Sequence, residues 1–518
     1  LVASSNGQVV GRIVAGGSEG IELREKDGAN LELGDLVVVE DAKNRRRHLY
    51  MVSALEYKSL VADAMICTGA GSMLERTSPS IEFPKGDLSL FKVVRASPLL
   101  EVVGDGKPAA KSPRSIPPFL SEARNVVDGD FAFLGEPKTK VLLGRIRSGS
   151  KTLDFRYCMD GDKMLSHHVL VSAQTGRGKS NLMKVMIWEA MGHRKFGIFV
   201  LDVHNEYYGV AQKGLKDHPD AGRALVYYSK KPPPGQKRLR VNLKSIRPTD
   251  VLGILYLSEA QEEAIGHFYR KEGRDWIKTL MTADEEEVDR QGIKSGTLRA
   301  LRRKFGNLFN LRVNDDGTLS CADEVFDTET MGESTIGDMA DALEGGKVVL
   351  VDGSSIPDDA GLIVTSAVLH EVFRRYEDYK TRGILDSMPL AGVVLEEAPR
   401  VLSEKYGSNI FGRIAREGRK FRIGLIAVTQ MASEIPKEIL ANIGTKVIMG
   451  NELALERKAL IESAAQDLTP YDRIIAGLDE GEAIVSSIFS RFPVPIYVPL
   501  FEDIAKVNNV EGSSPVFF

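Results

Sequence analysis

The chain has 518 residues, of which 43% are hydrophobic, 27% charged and 7% aromatic, a balance that excludes a disordered or fibrous protein. At this length a single core stops growing, so two to four packed units are expected. Lys and Arg number 68 against 72 Asp and Glu, for a net charge of -4; no global field draws the molecule onto nucleic acid or an anionic membrane, and any polyanion binding must be local.

Cys67, Cys158 and Cys321 stand far apart without a CxxC or Cys/His cluster, so neither a disulfide framework nor a zinc site is expected and the compartment reads as reducing. No run approaches the roughly 18 consecutive apolar residues of a membrane span. The opening Leu1-Val2-Ala3-Ser4-Ser5 lacks the order of a signal peptide, and the absent initiator Met suggests a trimmed chain. A cytoplasmic enzyme is the expectation.

In chain order, short β-rich runs at Val9 to Val14, Ile21 to Leu23, Leu36 to Val39 and Leu49 to Leu55 predict a small barrel. Gly104 to Pro118 has linker or ordered surface-loop composition, and Lys140 to Ile146 is expected to resume the barrel. From His168 apolar strands alternate with amphipathic helices, which predicts a parallel sheet with crossover helices. Its strands are expected at His168 to Ser172, Phe196 to Asp202, Val348 to Asp352, Gly392 to Leu395, Ile423 to Val428 and Lys446 to Met449. Helices at Leu252 to Phe268, Asp275 to Thr282 and Gly296 to Phe309 read as an insertion. The fold class is therefore α/β, a RecA-like P-loop ATPase core with an inserted helical subdomain and an N-terminal β-barrel. The expected boundaries are 1–160 for the barrel with its Pro-rich loop, 161–249 and 336–502 for the core, 250–335 for the insertion and 503–518 for a tail.

Ala173-Gln-Thr-Gly-Arg-Gly-Lys-Ser180 follows a predicted strand and opens a predicted helix, the context a P-loop requires. Thr175, Gly176, Arg177, Gly178, Lys179, Ser180 and Asn181 are the nucleotide-binding candidates: the glycines let backbone N–H groups turn inward, Lys179 reaches the β and γ phosphates, and Ser180 ligates Mg²⁺. ATP and Mg²⁺ are the expected ligands. The apolar strand ending Glu396-Glu397 matches a Walker B element, with Glu396 in the metal shell and Glu397 orienting or deprotonating water. Gln430, at the end of another strand, is a candidate sensor of the γ-phosphate, although a capped strand end would look the same. Asp202-Val-His204-Asn-Glu206-Tyr207 falls at the same edge, with His204 either structural or catalytic. Arg419 and Arg422 lie in a basic helix and turn, and are candidates to complete a neighbouring subunit's site; a solvated helix face is the plainer explanation.

These residues together resemble the HerA family of the FtsK/HerA superfamily. The resemblance rests on His168 through Ser180, Leu201-Asp-Val-His-Asn-Glu-Tyr, Glu396-Glu397-Ala, Ile414-Ala-Arg-Glu-Gly-Arg-Lys and Gly481-Glu-Ala-Ile-Val, and it extends over nearly the whole chain, because the N-terminal barrel is similar to the family's HAS barrel. It implies an archaeal, nucleoid-associated homohexamer that moves double-stranded DNA, with a NurA-like nuclease as partner in DNA end resection for recombinational repair. Two positions depart from the pattern: His167 stands where relatives often carry Arg, and Pro399 where many carry His.

A ring needs only a few inward cations per subunit to hold a duplex. Lys230, Lys231, Lys237, Arg238 and Arg240 around a Pro-rich loop, and Lys405 after the Walker B strand, are the candidates; Arg45, Arg46 and Arg47 at a hairpin tip bind DNA, a partner or solvent. Two rivals to the motor stay open: a nucleotide-switched scaffold that loads a nuclease, and a DNA pump of the partitioning or conjugation type.

Overall fold

The run Leu36-Val37-Val38-Val39 is buried at every residue because both sides of its strand are covered. Val37 and Val39 join Val10, Ile13, Leu23, Tyr50, Val52 and Val94 inside a barrel, whereas Leu36 and Val38 join Leu49, Met51, Leu100 and Val102 in the main core. The computed structural model describes residues 7–75, 90–104, 108–322, 324–403 and 408–510. In it the barrel closes through six antiparallel strands in the order Gly20–Glu25, Val9–Gly17, Glu122–Asn125, Leu36–Asp41, Arg46–Ser59 and Leu90–Val103, the last pairing back onto the first. The two long strands pair from Arg46 with Val103 out to Ser59 with Leu90.

Lys140–Ser148 does not resume the barrel as the sequence suggested. It pairs with Val494–Tyr497 and Lys151–Asp160 at the edge of the ATPase sheet, so the barrel ends at Asn125. The reason is non-local: the partner strand lies some 350 residues downstream, and local alternation carries no record of it.

The second sheet has twelve strands. Its parallel part runs Lys237–Arg238, Leu225–Ser229, Val348–Asp352, Phe196–Asp202, Leu390–Leu395, Ile423–Thr429, Val169–Ser172 and Thr445–Met449. Four antiparallel strands, from Glu482–Ser487 to Lys151–Asp160, extend it. The crossover connections place helix Lys179–His193 on one face and helices Thr335–Glu344, Asp358–Thr381, Ile410–Glu417 and Lys437–Asn442 together on the other, the arrangement that right-handed connections dictate. Strands covered on both faces read as continuous apolar runs, which is why they were legible.

Between Val241 and Asp327 the chain leaves the sheet. Trp276, Leu280, Leu301, Phe305 and Phe309 pack together there, and the Trp276 indole donates to the Ile246 carbonyl at 2.9 Å. The first long helix starts at Glu259 rather than Leu252: Gly253 turns with φ +77°, and the Gln261 side chain accepts the Ser258 N–H at 3.2 Å. Residues expected as tail are partly helical, since Phe501–Val510 docks on Lys179–His193. Among the described residues no helix is long and apolar enough to cross a membrane.

Candidate nucleotide site

Strand Val169–Ser172 delivers the chain to the carboxyl edge of the sheet. Gly176 and Gly178 then take φ +79° and +98°, a region that costs a residue with a side chain about 1 kcal/mol or more. Gly178 immediately precedes helix Lys179–His193. A helix start offers unpaired N–H groups and partial positive charge, so this turn is a cradle for anionic oxygens. The Lys179 ammonium folds back along it, donating to the Ala173 and Gln174 carbonyls at 2.8 and 2.9 Å. Burial lowers its pKa, and Glu206 and Glu396 oppose that shift, so both carboxylates lie within electrostatic reach of the lysine.

Ser172 is level with Thr429, and Asp202 with Asp352, so the strand ends form one continuous edge. Glu396 follows Leu390–Leu395 on that edge. Burial pushes its carboxyl up to about 7, while a bond from Tyr207 pulls the other way; the Tyr207 hydroxyl donates to Glu396 Oε1 at 2.6 Å. Asp202 is 1% exposed, and burial raises its pKa. Its two oxygens accept the N–H groups of Glu206 and Tyr207 at 2.9 and 3.0 Å. Glu397 sits at φ +54°, exposed, beside His204, Glu396 and Arg400 around a cavity of about 80 Å³. The Thr175 hydroxyl donates to Gln430 Oε1 at 2.8 Å, joining the P-loop to the predicted sensor. Arg177 reaches the Leu478 carbonyl at 3.1 Å and Glu452 at 2.7 Å.

The structure brings Thr175 through Ser180, Glu396, Glu397 and Gln430 to one edge, but not every sequence candidate. Asn181 is engaged elsewhere: its amide donates to the Pro499 carbonyl at 2.9 Å and accepts the Phe501 N–H at 2.8 Å, pinning the C-terminal segment. Arg419 and Arg422 precede strand Ile423–Thr429 and so occupy the opposite edge, about 20 Å from their own P-loop at 3.3 Å per strand residue. Arg422 bonds the Met388 carbonyl at 3.2 Å and Asp162 at 3.4 Å, an internal role, whereas Arg419 is exposed.

Lys237 pairs with Asp338 at 3.3 Å, Arg238 with Glu324, and Arg240 with the Glu324 carbonyl at 3.2 Å. Arg46 pairs with Glu101 at 3.4 Å and Arg47 with Asp130 at 3.1 Å, so both make ion pairs within the protein. Lys231 is exposed, and Lys405 lies outside the described residues. Glu206 and Tyr207 were not singled out from the sequence as site residues. The sequence places their run, Asp202 to Tyr207, at the edge where open α/β sheets bind ligands, but assigns a role only to His204.

Among the described residues no group of three or more His, Cys, Asp or Glu forms a metal cage. Mg²⁺ does not need one, because it keeps waters and takes one or two protein oxygens beside substrate phosphates. The Ser180 hydroxyl and the Glu396 carboxylate, both near Lys179, are a donor set of that kind.

Residues 141–372 match the family described as "Helicase HerA, central domain". The chain is 26% identical over 372 residues to the DNA double-strand break repair helicase HerA of Sulfurisphaera tokodaii, covering 68% of this chain and 67% of the relative. It is 24% identical over 386 residues to the protein of the same name from Pyrococcus furiosus, covering 67% and 68%. Among solved structures it is similar to the bacterial conjugative coupling protein TrwB, at 13% identity and a TM-score of 0.46, over 72% of this chain and 93% of that one. Over residues 141–372, therefore, this chain is similar to the central domain of the HerA helicases.

Proposed function

We propose that this protein is an Mg²⁺-dependent ATPase that moves double-stranded DNA, working as a ring of six copies with ATP at each interface. The reading is carried by one observation: Lys179, Ser180, Glu396, Glu397 and Gln430 share one sheet edge, while the exposed Arg419 stands on the opposite edge.

An incoming triphosphate replaces the carbonyl contacts of Lys179, whose ammonium then neutralises the β and γ oxygens. Ser180 and Glu396 would hold Mg²⁺, which would supply further neutralisation of the phosphate charge. Glu397 orients the attacking water, and Gln430, tied to the P-loop through Thr175, reports whether the γ-phosphate is present. Arg419 is too far away to serve its own site. Supplied by a neighbour, it stabilises transition-state charge, an effect on the order of 10³ or more in turnover.

Lys230 and Lys231 supply phosphate contacts, which hold DNA without reading its sequence. The names of the relatives place them in double-strand break repair, and we extend that to DNA end resection with a NurA-like nuclease docked on the barrel end.

The test is steady-state ATP hydrolysis with and without linear duplex DNA, in the wild type, Lys179→Ala and Glu397→Gln. DNA is expected to raise turnover severalfold, and both variants to lose it. Substantial turnover that ignores DNA would overturn the motor and leave a nucleotide-switched scaffold as the better account.

A further inference from the structure

The geometry points to Tyr207 as a positioning residue: its buried hydroxyl fixes the Glu396 carboxylate beside the P-loop and so makes the turn 202–207 part of the hydrolytic site. The inference rests on the reading of Glu396 as the metal-holding acid given above.

A carboxylate at a strand end has free side-chain torsions, and a single well-aligned donor removes them. The bond from Tyr207 to Glu396 Oε1 measures 2.6 Å, and the tyrosine is 0% exposed, so water does not compete for the donor. The phenol is itself fixed from below. Asp202, buried at the end of the neighbouring strand, accepts the backbone N–H groups of residues 206 and 207, and the turn closes with Asn205 at φ +55°.

The chemistry of the donor matters as much as its place. A lysine or arginine here would neutralise Glu396 and compete with a cation for it. A phenol carries no positive charge, so it orients the carboxylate without competing with a cation for it. Partners of this kind around a metal ligand typically change affinity or activity by 10- to 100-fold when removed. A packing role alone would be met equally by phenylalanine.

Tyr207→Phe keeps the ring and removes the donor. Nucleotide affinity would be measured in EDTA and again in Mg²⁺, and the ratio of the two is the gain that Mg²⁺ confers. Tyr207→Phe is expected to reduce that gain about tenfold, with EDTA affinity and melting temperature near wild type and the KM for nucleotide in Mg²⁺ rising with the lost affinity. In a Glu396→Gln background, where the gain is already absent, Tyr207→Phe should change nothing further.

An unchanged gain in Tyr207→Phe, or a further loss in the Glu396→Gln background, would overturn the proposal. Lys179→Ala separates the two levels. If it hydrolyses ATP as fast as the wild type, this edge is not the hydrolytic site and the reading of Glu396 fails with it; if it is inactive while Tyr207→Phe keeps the full gain, only the positioning role fails.

Discussion

His168 shows how one side chain can serve structure at a cost that depends on pH. It is 3% exposed, takes φ +64°, and its Nδ1 accepts the Leu425 N–H at 3.0 Å, which ties the P-loop strand to its neighbour. Burial, with smaller effects from His167 and Arg419, lowers its pKa from 6.5 to about 4. Between those values the unfolded chain takes up a proton that the folded chain does not. Stability is therefore lost as pH falls through this window, by about 3 kcal/mol if the full shift is realised. His168→Asn keeps an acceptor, tolerates the positive φ and does not titrate. Its urea midpoint should fall less than that of the wild type between about pH 7 and pH 4.5, and parallel curves would show that other groups govern acid sensitivity. Glu397 is a second strained position, at φ +54° with no backbone need for a carboxylate. A residue kept there against a cost of about 1 kcal/mol points to function. Glu397→Asn should melt at or above the wild-type temperature while ATP turnover collapses; a variant that lost stability instead would mark Glu397 as structural.

At the scale of elements, the helix after the P-loop is held from both ends. Its first turn forms the phosphate cradle, and its Trp188 stacks edge-on against Phe501, with ring centroids 5.2 Å apart. Phe501 is fully buried, and its N–H bonds the side chain of Asn181, two residues beyond Lys179. The last helix is thus a brace for the P-loop helix. Phe501→Ala removes a buried ring and should cost roughly 3–5 kcal/mol in denaturant unfolding, with nucleotide affinity weakened as a secondary effect. A loss below about 1 kcal/mol would show that the helix only rests on the surface. The helix is short, and its anchoring at Phe501 comes from partners more than 300 residues away, so the sequence read residues 503–518 as tail.

Across the whole molecule, the barrel and the ATPase core share apolar contacts rather than a linker. Leu36, Val38, Leu49, Met51, Leu100 and Val102 turn their side chains out of the barrel and into the main core. Ser148 from the core's edge hairpin donates to Asp35 at 3.0 Å and accepts the Leu36 N–H at 2.8 Å. A chain starting at residue 136 would expose the core side of this interface. It is expected to melt at a lower temperature and to scatter light on heating, whereas an unchanged, reversible transition would show the barrel to be an independent module.

What the sequence determined by itself was whatever local chemistry enforces. The glycines and Lys179-Ser180 of the P-loop, the fully buried parallel strands and the acid pair Glu396-Glu397 each carry their reason within about ten residues, as backbone freedom, two-sided burial or charge at a strand end. Only the tertiary structure decided what depends on distant partners. It gave Lys140–Ser148 to the ATPase sheet, Asn181 to the C-terminal helix, Arg422 to Asp162 and Tyr207 to Glu396. In each case the partner lies more than 180 residues away in the chain, and which partner a strand edge or a polar group finds is settled by the packing of the whole sheet rather than by its neighbours in sequence.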